Sequence, residues 1–376
     1  MLAPMLHFLG SEIGRGHPFY LDGVRRALRA SGRGDLIVRD TDVFAVSRGT
    51  AALAWRAVRQ AYTWAGRGGV VSAAYHLARS RARYGSDSLA SRVLGRDLRR
   101  WAGREGIVVV DHPVVAGALG DRPDIFYVHG EMVAPPESVA TNAARIFVPV
   151  EDTAYVFVRG GVHPDRVPVT GVCVENELLP GAFDGLEARR GRIAGDGPLA
   201  VAFFSSGAEP PPHVRVITAG LRSLAAAGKH RAVVFARAGG RLESAVAPLA
   251  DRVEIVRFRD RLSLDRLTAS RFERFDVVVS PPHERSNWAV ALGTPFLLVG
   301  PDIGPFAPRN RDLLLRRGVA VGLSETDAIS LSAWIDGLRA NGHLARMSSF
   351  SGGVSFRGFP RIAELLIAEC ERRRSA

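Results

Sequence analysis

The sequence lacks the features of a secreted or membrane-spanning protein. Among its 376 residues there are two cysteines, Cys173 and Cys370, and their spacing matches neither a metal site nor a disulfide framework. So few cysteines suit a reducing cytoplasm. No stretch offers the run of about 20 apolar residues that a membrane helix needs. The first residues, MLAPMLHFLGSEIG, have no basic segment before an apolar one, which predicts a first strand and no signal peptide.

Lysine is almost absent, because Lys229 is the only one in the chain. Nearly all of the positive charge is therefore arginine, and the net charge is +12 at pH 7. A chain this basic is attracted to anionic surfaces. The sequence shows no zinc finger, β-ribbon or basic-aromatic signature, so no nucleic acid partner is expected. A phosphate-bearing substrate or an anionic membrane surface suits the charge at least as well.

The chain is rich in short apolar runs that alternate with amphipathic segments. The runs contain many Val, Ile and Phe residues and end in turn formers, as buried parallel strands do. Helical spacing between most of them predicts repeated βα units. The expected fold class is α/β, with two doubly wound, Rossmann-like domains that face a cleft. The predicted strands lie at Met5–Gly10, Asp35–Asp42, Gly106–Pro113, Asp124–Gly130, Arg145–Val150, Leu199–Gly207, Arg231–Gly239, Val253–Phe258, Phe275–Pro281 and Pro295–Pro301.

A stretch rich in glycine and charge separates the two halves of this pattern. It carries no clear strand, and we interpret residues 181–198 as a linker. The predicted domains are residues 1–180 on the N-terminal side and 199–358 on the C-terminal side. Residues 359–376 form an amphipathic helix whose basic end suits the negative end of a helix dipole.

Residues 51–84 depart from the alternation. Aromatic residues are interleaved there with arginines, a composition typical of an element that lies on a membrane surface. The alternative is a helical pair that packs on its own domain and exposes a basic face. The aromatic residues are Trp55, Tyr62, Trp64, Tyr75 and Tyr84, and the arginines are Arg56, Arg59, Arg67, Arg79, Arg81 and Arg83.

The order of the motifs resembles a known family. A Gly-x-Gly-His sequence follows the first predicted strand, and the second half ends in SNWAVALGTPFLLVGPDIGPFAPRNRDLLLRRGVAV. These features resemble the GT-B glycosyltransferases, in particular lipid-II N-acetylglucosamine transferase, monogalactosyldiacylglycerol synthase and bacterial diacylglycerol glucosyltransferases. The segment IFVPVEDTAYVFVRGGVHPDRVPVTGVCV is similar to their interdomain passage of strand, helix and strand.

This resemblance implies an activity and a location. The expected reaction moves a sugar from a nucleotide-diphosphate donor to a hydroxyl of a lipid or other hydrophobic acceptor, with inversion. The nucleotide sugar is a co-substrate, and no further cofactor or metal is expected. The expected location is the cytoplasm, at the inner face of the cell membrane if residues 51–84 bind an anionic surface.

The resemblance also assigns residues on the acceptor side. His17 matches the loop histidine that acts as general base, since an imidazole titrates near neutral pH. Gly14 and Gly16 let the backbone approach a ligand closely. Glu131, at the end of a predicted strand, is a second candidate to hold or deprotonate the acceptor. A metal site that combines it with His112 and His129 lacks the close ligand spacing of such sites.

The donor side matches the family less well. Its phosphate turn contains Pro281 and Pro282, which have no N–H to donate. Trp288 stands at the position of the ribose-binding Glu, and an indole only donates hydrogen bonds. Gly304-Pro305-Phe306-Ala307 replaces the Gly-Gln-Glu pattern. The residues predicted to contact the donor are Ser205, Ser206, Gly207, Phe258, Arg259, His283, Arg285, Ser286, Asn287, Trp288, Gly304, Phe306, Arg309 and Asn310.

Several interpretations of these departures remain open. The donor differs from a standard uridine-diphosphate sugar, or Arg285 and Arg309 replace backbone amides as phosphate ligands, or the fold persists without transfer. In the last case the protein binds a ligand or partner. A sugar-nucleotide epimerase of the same fold is a weaker alternative, because it needs an acidic cluster that we do not find in the sequence.

Overall fold

The chain forms two units, each built on its own parallel sheet. The computed structural model describes residues 5–11, 17–65, 89–103, 106–349 and 355–375. Unit 1 contains the chain up to Asn176 and the segment from Ser355 onward, and unit 2 begins at Glu177.

Unit 1 has a five-stranded parallel sheet in the order β2-β1-β3-β4-β5. The strands are β1 (Leu6–Gly10), β2 (Ile37–Asp42), β3 (Ile107–Val110), β4 (Ile125–Val128) and β5 (Arg145–Phe147). The helices described in this part of the chain are α1 (His17–Ala30), α2 (Val43–Val46), α3 (Gly49–Ala65), α4 (Leu89–Ala102), α5 (Pro113–Leu119) and α6 (Glu151–Arg159).

Strand β3 shows how helices cover both faces of this sheet. Ile107 and Val109 belong to one buried cluster and Val108 and Val110 to another, because successive side chains point to opposite faces of a strand. A parallel sheet that is covered on both faces needs such continuous apolar strands. Both faces of the sheet are therefore covered, and polar residues that could bind a ligand are expected at the carboxyl ends of the strands.

Trp55 on α3 belongs to the core of unit 1. Its side chain is fully buried, and its indole N–H donates to Leu94 O at 3.1 Å. The prediction that this aromatic residue lies at a membrane surface is therefore wrong. The side chains of the other four aromatic residues of the 51–84 segment lie outside the described part of the structure. Among the described helices none has the length and apolarity to cross a membrane.

Unit 2 has a six-stranded parallel sheet in the order β11-β10-β9-β6-β7-β8. The strands are β6 (Ala200–Phe204), β7 (Arg231–Arg237), β8 (Glu254–Phe258), β9 (Val277–Ser280), β10 (Phe296–Val299) and β11 (Ala320–Leu323). The described helices are α7 (Ala182–Ala194), α8 (Pro211–Ala227), α9 (Arg241–Val246), α10 (Arg261–Ala269), α11 (Ser286–Leu292), α12 (Ala307–Arg316), α13 (Glu325–Ile329), α14 (Leu331–Ala340) and α15 (His343–Ser349), after which α16 (Gly358–Ser375) belongs to unit 1.

Aromatic side chains fill one face of the unit 2 sheet. The rings of Phe204 and Phe235 stack with their centres 4.5 Å apart, and Trp288 meets Phe204 edge-on at 5.5 Å and Phe272 at 5.1 Å. The opposite face packs Val201, Phe203 and other apolar side chains against α8 and α14. Helix α11 is thereby fixed against the sheet by the indole of Trp288.

All ten predicted strands are present, but three features differ from the sequence interpretation. The predicted linker 181–198 contains helix α7, whose buried Arg189 donates to Phe275 O and Leu292 O, both at 2.9 Å. Strand β11 was not predicted, because its apolar run is short and contains Gly322. The second strand expected in the interdomain passage is reduced to one bridge, between Val148 and Val169.

Candidate functional site

Polar groups without partners gather at the carboxyl ends of the central strands of unit 2. Strand β6 ends at Phe204, and the hydroxyls of Ser205 and Ser206 that follow are buried and make no hydrogen bond. Strand β7 ends at Arg237, whose Nε is also buried without an acceptor. Because β6 and β7 are neighbours, these groups lie along the same edge of the sheet.

Arg285 adds a second guanidinium at the same edge, from the turn after β9. Its side chain is 13% exposed, and Nη1 lies 3.1 Å from Glu284 Oε1. The guanidinium carbon lies 4.8 Å from the centre of the Phe204 ring and 5.7 Å from that of Trp288. Its Nε has no acceptor. Two hydroxyls and two guanidinium groups therefore provide hydrogen-bond donors that no protein atom uses.

The backbone of the turn after β9 donates to the protein itself. His283 N donates to Pro281 O at 2.9 Å, and Ser286 N donates to His283 O at 2.8 Å. Asn287 N and Trp288 N donate to carbonyls three residues earlier. Pro281 and Pro282 have no N–H, and these four amides are used within the protein, so fewer backbone donors remain for an anion at this turn. The role of Arg285 as a phosphate ligand stays a prediction.

The first residues of α11 are buried. Trp288 is 1% exposed inside the aromatic cluster, so the prediction that its indole contacts the donor is wrong: the ring is core. Ser286 and Asn287 are 1% and 2% exposed. Burial lowers the pKa of His283, so its imidazole is neutral at pH 7 and brings no charge to an anion.

Helix α12 supplies the other predicted donor contacts. Asn310 is buried, and its Nδ2 donates to Pro282 O at 3.2 Å, which ties α12 to the turn after β9. Arg309 is exposed on the same helix. Gly304 has a φ of +86°, which glycine adopts without strain, and Phe306 is the N-cap of α12.

The strand end at Phe258 and Arg259 is engaged in capping. Phe258 O accepts from Ala238 N at 2.8 Å. Arg259 N donates to Ser263 Oγ at 3.2 Å, beside the capping box that Asp260 forms with Ser263. Phe258 O is therefore used by the loop after β7, and Arg259 N by the first turn of α10.

Unit 1 places other polar groups at the carboxyl ends of β1, β3 and β4. Ser11 Oγ donates to Asp111 Oδ1 at 2.9 Å. Burial raises the pKa of Asp111 to about 7, although the hydrogen bonds from Ser11 oppose the shift. A carboxyl group with that pKa exchanges protons near neutrality, and perturbed groups of this kind are frequent at functional sites.

The two histidines at this edge have structural contacts. His112 caps α5, with Nδ1 accepting from Val114 N at 3.1 Å. His129 is buried, its Nδ1 lies 3.0 Å from Tyr127 Oη, and its pKa is lowered by burial to about 4. Glu131 is partly exposed next to them. Within the described ranges no group of three His, Cys, Asp or Glu residues is arranged to hold a metal ion.

The predicted acceptor side falls mostly outside the described residues. His17 is the first residue of α1, as expected for a residue at the end of the loop that connects β1 to the following helix. Its side chain, and all of Gly14 and Gly16, lie outside the described residues. Their assigned roles therefore stay predictions.

Sequence reasoning missed two residues at the unit 2 edge. Arg237 was foreseeable, since it is a charged residue at the carboxyl end of an apolar strand. Glu209 carried no signal, because both its positive φ of +45° and the contacts of its carboxylate with Arg241 N and Leu242 N arise only in the fold.

Comparison with known proteins establishes the fold. The chain is similar to the solved structures of UDP-GlcNAc 2-epimerase from Neisseria meningitidis bound to UDP-GlcNAc (11% identity, 98% of this chain and 100% of that chain, TM-score 0.56) and MurG from Acinetobacter baumannii (13%, 97% and 100%, 0.53). It is also similar to Phytolacca americana UGT2 complexed with UDP-2fluoro-glucose and pterostilbene (12%, 100% and 100%, 0.56).

At these identities the likenesses concern architecture alone. The chain has two Rossmann-like α/β domains of the GT-B type, and the predicted fold class is confirmed. No protein-family model and no curated protein matches the sequence. The particular branch of lipid-directed transferases stays a prediction.

Proposed function

We propose that this protein is a glycosyltransferase that takes a sugar from a nucleotide-diphosphate donor. The observation that carries the proposal is the set of unused donors on Ser205, Ser206, Arg237 and Arg285. A buried donor without a partner costs about 1–3 kcal/mol, so such a set persists where a ligand satisfies it. A diphosphate offers several charged acceptor oxygens that a guanidinium grips in a fork.

The same groups suit the chemistry of the leaving group. In the proposed reaction the acceptor oxygen forms a bond to the anomeric carbon, and the bond from that carbon to the diphosphate oxygen breaks. Negative charge then grows on the departing diphosphate. Arg285 and Arg237 stabilise that charge, because fixed cations act strongly in a site that excludes water.

A base must take the proton of the acceptor hydroxyl. We assign this role to His17, at the start of α1, in line with the family resemblance. We assign Asp111 and Glu131, which follow β3 and β4 of the same unit, to orienting the acceptor. A carboxyl with a pKa of about 7 also accepts a proton at neutral pH, so Asp111 is the second candidate for the base.

We also propose that the acceptor is lipid-linked or hydrophobic and that unit 1 binds an anionic membrane surface. Helices α3 and α4 together carry six arginines and one aspartate, Asp97. Asp97 is already engaged, since it accepts from Arg48 N at 2.8 Å. Leu53 is 63% exposed and Val93 38% exposed among these arginines. Cationic helices with exposed apolar residues are attracted to anionic headgroups.

Titration with nucleoside diphosphates tests the donor half of the proposal. The wild-type protein is titrated with UDP, GDP, ADP and dTDP by calorimetry, and so is Arg285→Ala. Loss of a charge-assisted hydrogen bond is expected to weaken binding about 10- to 100-fold. The matched control is Arg252→Ala, an exposed arginine just before β8 at the amino edge of the same sheet. No binding to any diphosphate would contradict the proposal.

Binding without transfer is the second candidate function. It is favoured by the turn after β9, where two prolines have no N–H and four amides donate to protein carbonyls, and by the burial of Trp288. Incubation with nucleotide sugars and a panel of hydrophobic alcohols separates the candidates. Transfer gives a new glycoside and a free nucleoside diphosphate. A binder leaves the nucleotide sugar unchanged, and an epimerase changes the sugar without any acceptor.

A further inference from the structure

Glu209 has a backbone conformation that its surroundings must maintain. It is the one non-glycine residue in the described ranges with a positive φ, at +45°. Side chains other than glycine rarely occupy this left-handed region, and they do so at a cost in free energy. Glu209 closes the loop that begins with Ser205 and Ser206, since its N–H donates to Ser206 O at 3.0 Å.

The side chain of Glu209 is tied to a second loop. It is 5% exposed, and its Oε2 accepts from Arg241 N at 2.6 Å and from Leu242 N at 3.2 Å. Arg241 returns the contact, with Nη1 donating to Glu209 O at 2.8 Å. A Cβ at Gly240 would lie 2.8 Å from both carboxylate oxygens, so a side chain at Gly240 would displace the carboxylate.

These bonds join the loops that carry three of the unused donors. Residues 205–210 carry Ser205 and Ser206, and residues 237–242 begin at Arg237. Both loops leave the carboxyl ends of neighbouring strands, β6 and β7. Amides at this end of α9 are used by protein carboxylates. Glu209 accepts from Arg241 N and Leu242 N, and Glu243 Oε2 accepts from Gly239 N, just before the helix, at 2.7 Å. The unused donors of the two loops are the side chains of Ser205, Ser206 and Arg237.

We propose that Glu209 is a positioning residue: its carboxylate holds the two loops together so that Ser205, Ser206 and Arg237 meet the diphosphate oxygens as one preformed set. This inference rests on the proposed function. Preformed donors bind more tightly because less freedom is lost when the ligand arrives. In this proposal Glu209 acts through the two loops, because its Oε2 accepts from both amides.

Three substitutions test this role. Glu209→Ala removes the carboxylate, and Glu209→Gln keeps its shape and one acceptor oxygen. Glu243→Gln alters a carboxylate of α9 itself, which accepts from Gly239 N and Arg257 Nε. The measurements are UDP affinity by calorimetry, the melting temperature, and amide hydrogen exchange across both loops.

The expected pattern separates positioning from simple helix capping. Glu209→Ala binds UDP about tenfold more weakly, the factor that corresponds to about 1.4 kcal/mol. Glu209→Gln recovers most of the affinity, and Glu243→Gln keeps it even if its melting temperature falls. Unchanged UDP affinity in a folded Glu209→Ala protein, with faster exchange only at Arg241 and Leu242, would overturn the proposal. If Glu209→Ala does not fold, Glu209→Gly takes its place, because glycine also lacks the carboxylate but adopts the positive φ without a steric penalty. Wild-type UDP affinity in a folded Glu209→Gly protein would then overturn the proposal.

Failure of the proposed function has a different signature. If the wild-type protein binds no nucleoside diphosphate, hydrogen exchange still tests the connection between the loops. Faster exchange over residues 205–209 in Glu209→Ala, but not in Glu243→Gln, supports the role of Glu209 in ordering the loop. Unchanged exchange over residues 205–209 in Glu209→Ala would show that the order of this loop does not depend on Glu209, and would contradict the proposed positioning role.

Discussion

The guanidinium of Arg285 lies over the ring of Phe204, 4.8 Å from its centre, and Phe204 is the last residue of β6 before Ser205. The two residues come from adjacent strands, so the aromatic core of unit 2 supports the charge that lies above it. A cation over an aromatic face gains about 0.5–2 kcal/mol, depending on its exposure to water. The contact holds a planar donor against the ring of the residue that precedes Ser205.

Arg285→Lys tests whether the shape of this donor matters. A lysine keeps the charge but loses the planar fork and much of the stacking on Phe204. We expect UDP binding to weaken about tenfold, between wild type and Arg285→Ala. Calorimetry at two salt concentrations measures the effect. Equal affinity of the lysine variant and wild type would show that only charge is used at this position.

Trp288→Ala tests the assignment of this residue to the core. Removing a buried aromatic side chain is expected to cost about 3–5 kcal/mol of unfolding free energy. Trp288→Phe keeps much of the packing against Phe204 and Phe272 and should cost less. Chemical denaturation gives both values. A stable Trp288→Phe protein that has lost UDP binding would contradict the assignment, because it would place the indole at the ligand.

The strands could be predicted from the sequence, because they depend on a local pattern of apolar residues and turn formers. Apolar runs closed by turn formers located ten strands, because a buried parallel strand needs continuous apolar residues. The pattern did not reveal α7, because its buried face includes Arg189, a residue type usually found at the surface. It also placed Trp288 at the ligand, because position along the chain does not determine which way a helix turns its side chain.

The candidate site was predicted less completely than the fold. Ser205, Ser206 and Arg285 were selected from strand ends and from the missing backbone donors beside the prolines, and their contacts with a donor stay predictions. Glu209 was not, since a left-handed backbone in a residue other than glycine has no signature in the sequence. Its partners, the amides of Arg241 and Leu242, are brought to it only by the pairing of β6 with β7.

Glu209→Gly and Glu209→Ala together separate backbone strain from lost hydrogen bonds. Both lose the carboxylate that caps α9, but only glycine adopts the positive φ without a steric penalty. We expect the glycine variant to be the more stable of the two by about 1 kcal/mol, because a Cβ penalises the left-handed conformation by about that amount. Urea denaturation measures the difference. A more stable alanine variant would mean that the loop changes its backbone conformation once the carboxylate is absent.

The arginines of α4 are expected to control binding to anionic vesicles. Arg92 and Arg100 are exposed on this helix. Each arginine near an anionic surface contributes about 1 kcal/mol, so replacing both with alanine should weaken binding to phosphatidylglycerol vesicles about 30-fold. Sedimentation with vesicles measures the binding, and phosphatidylcholine vesicles give the baseline. The control replaces Arg222 and Arg252, two exposed arginines of unit 2. An equal loss in the control would indicate attraction by net charge alone.

Asp111 is expected to make the stability of the protein fall as the pH rises from about 4 to about 7. Its pKa is about 7 in the folded chain, against an ordinary value of 3.8, so across this window the folded state holds a proton that the unfolded state has released. Stability falls with pH wherever the folded state binds more protons. Asp111→Asn removes this contribution, so it should gain stability relative to wild type between pH 4 and pH 7. Ser11→Ala should raise the pKa of Asp111 further, because the hydrogen bonds of Ser11 favour the charged carboxylate. Urea denaturation at several pH values, with NMR titration of the carboxyl carbon, measures both effects, and a pKa near 4 in wild type would refute them.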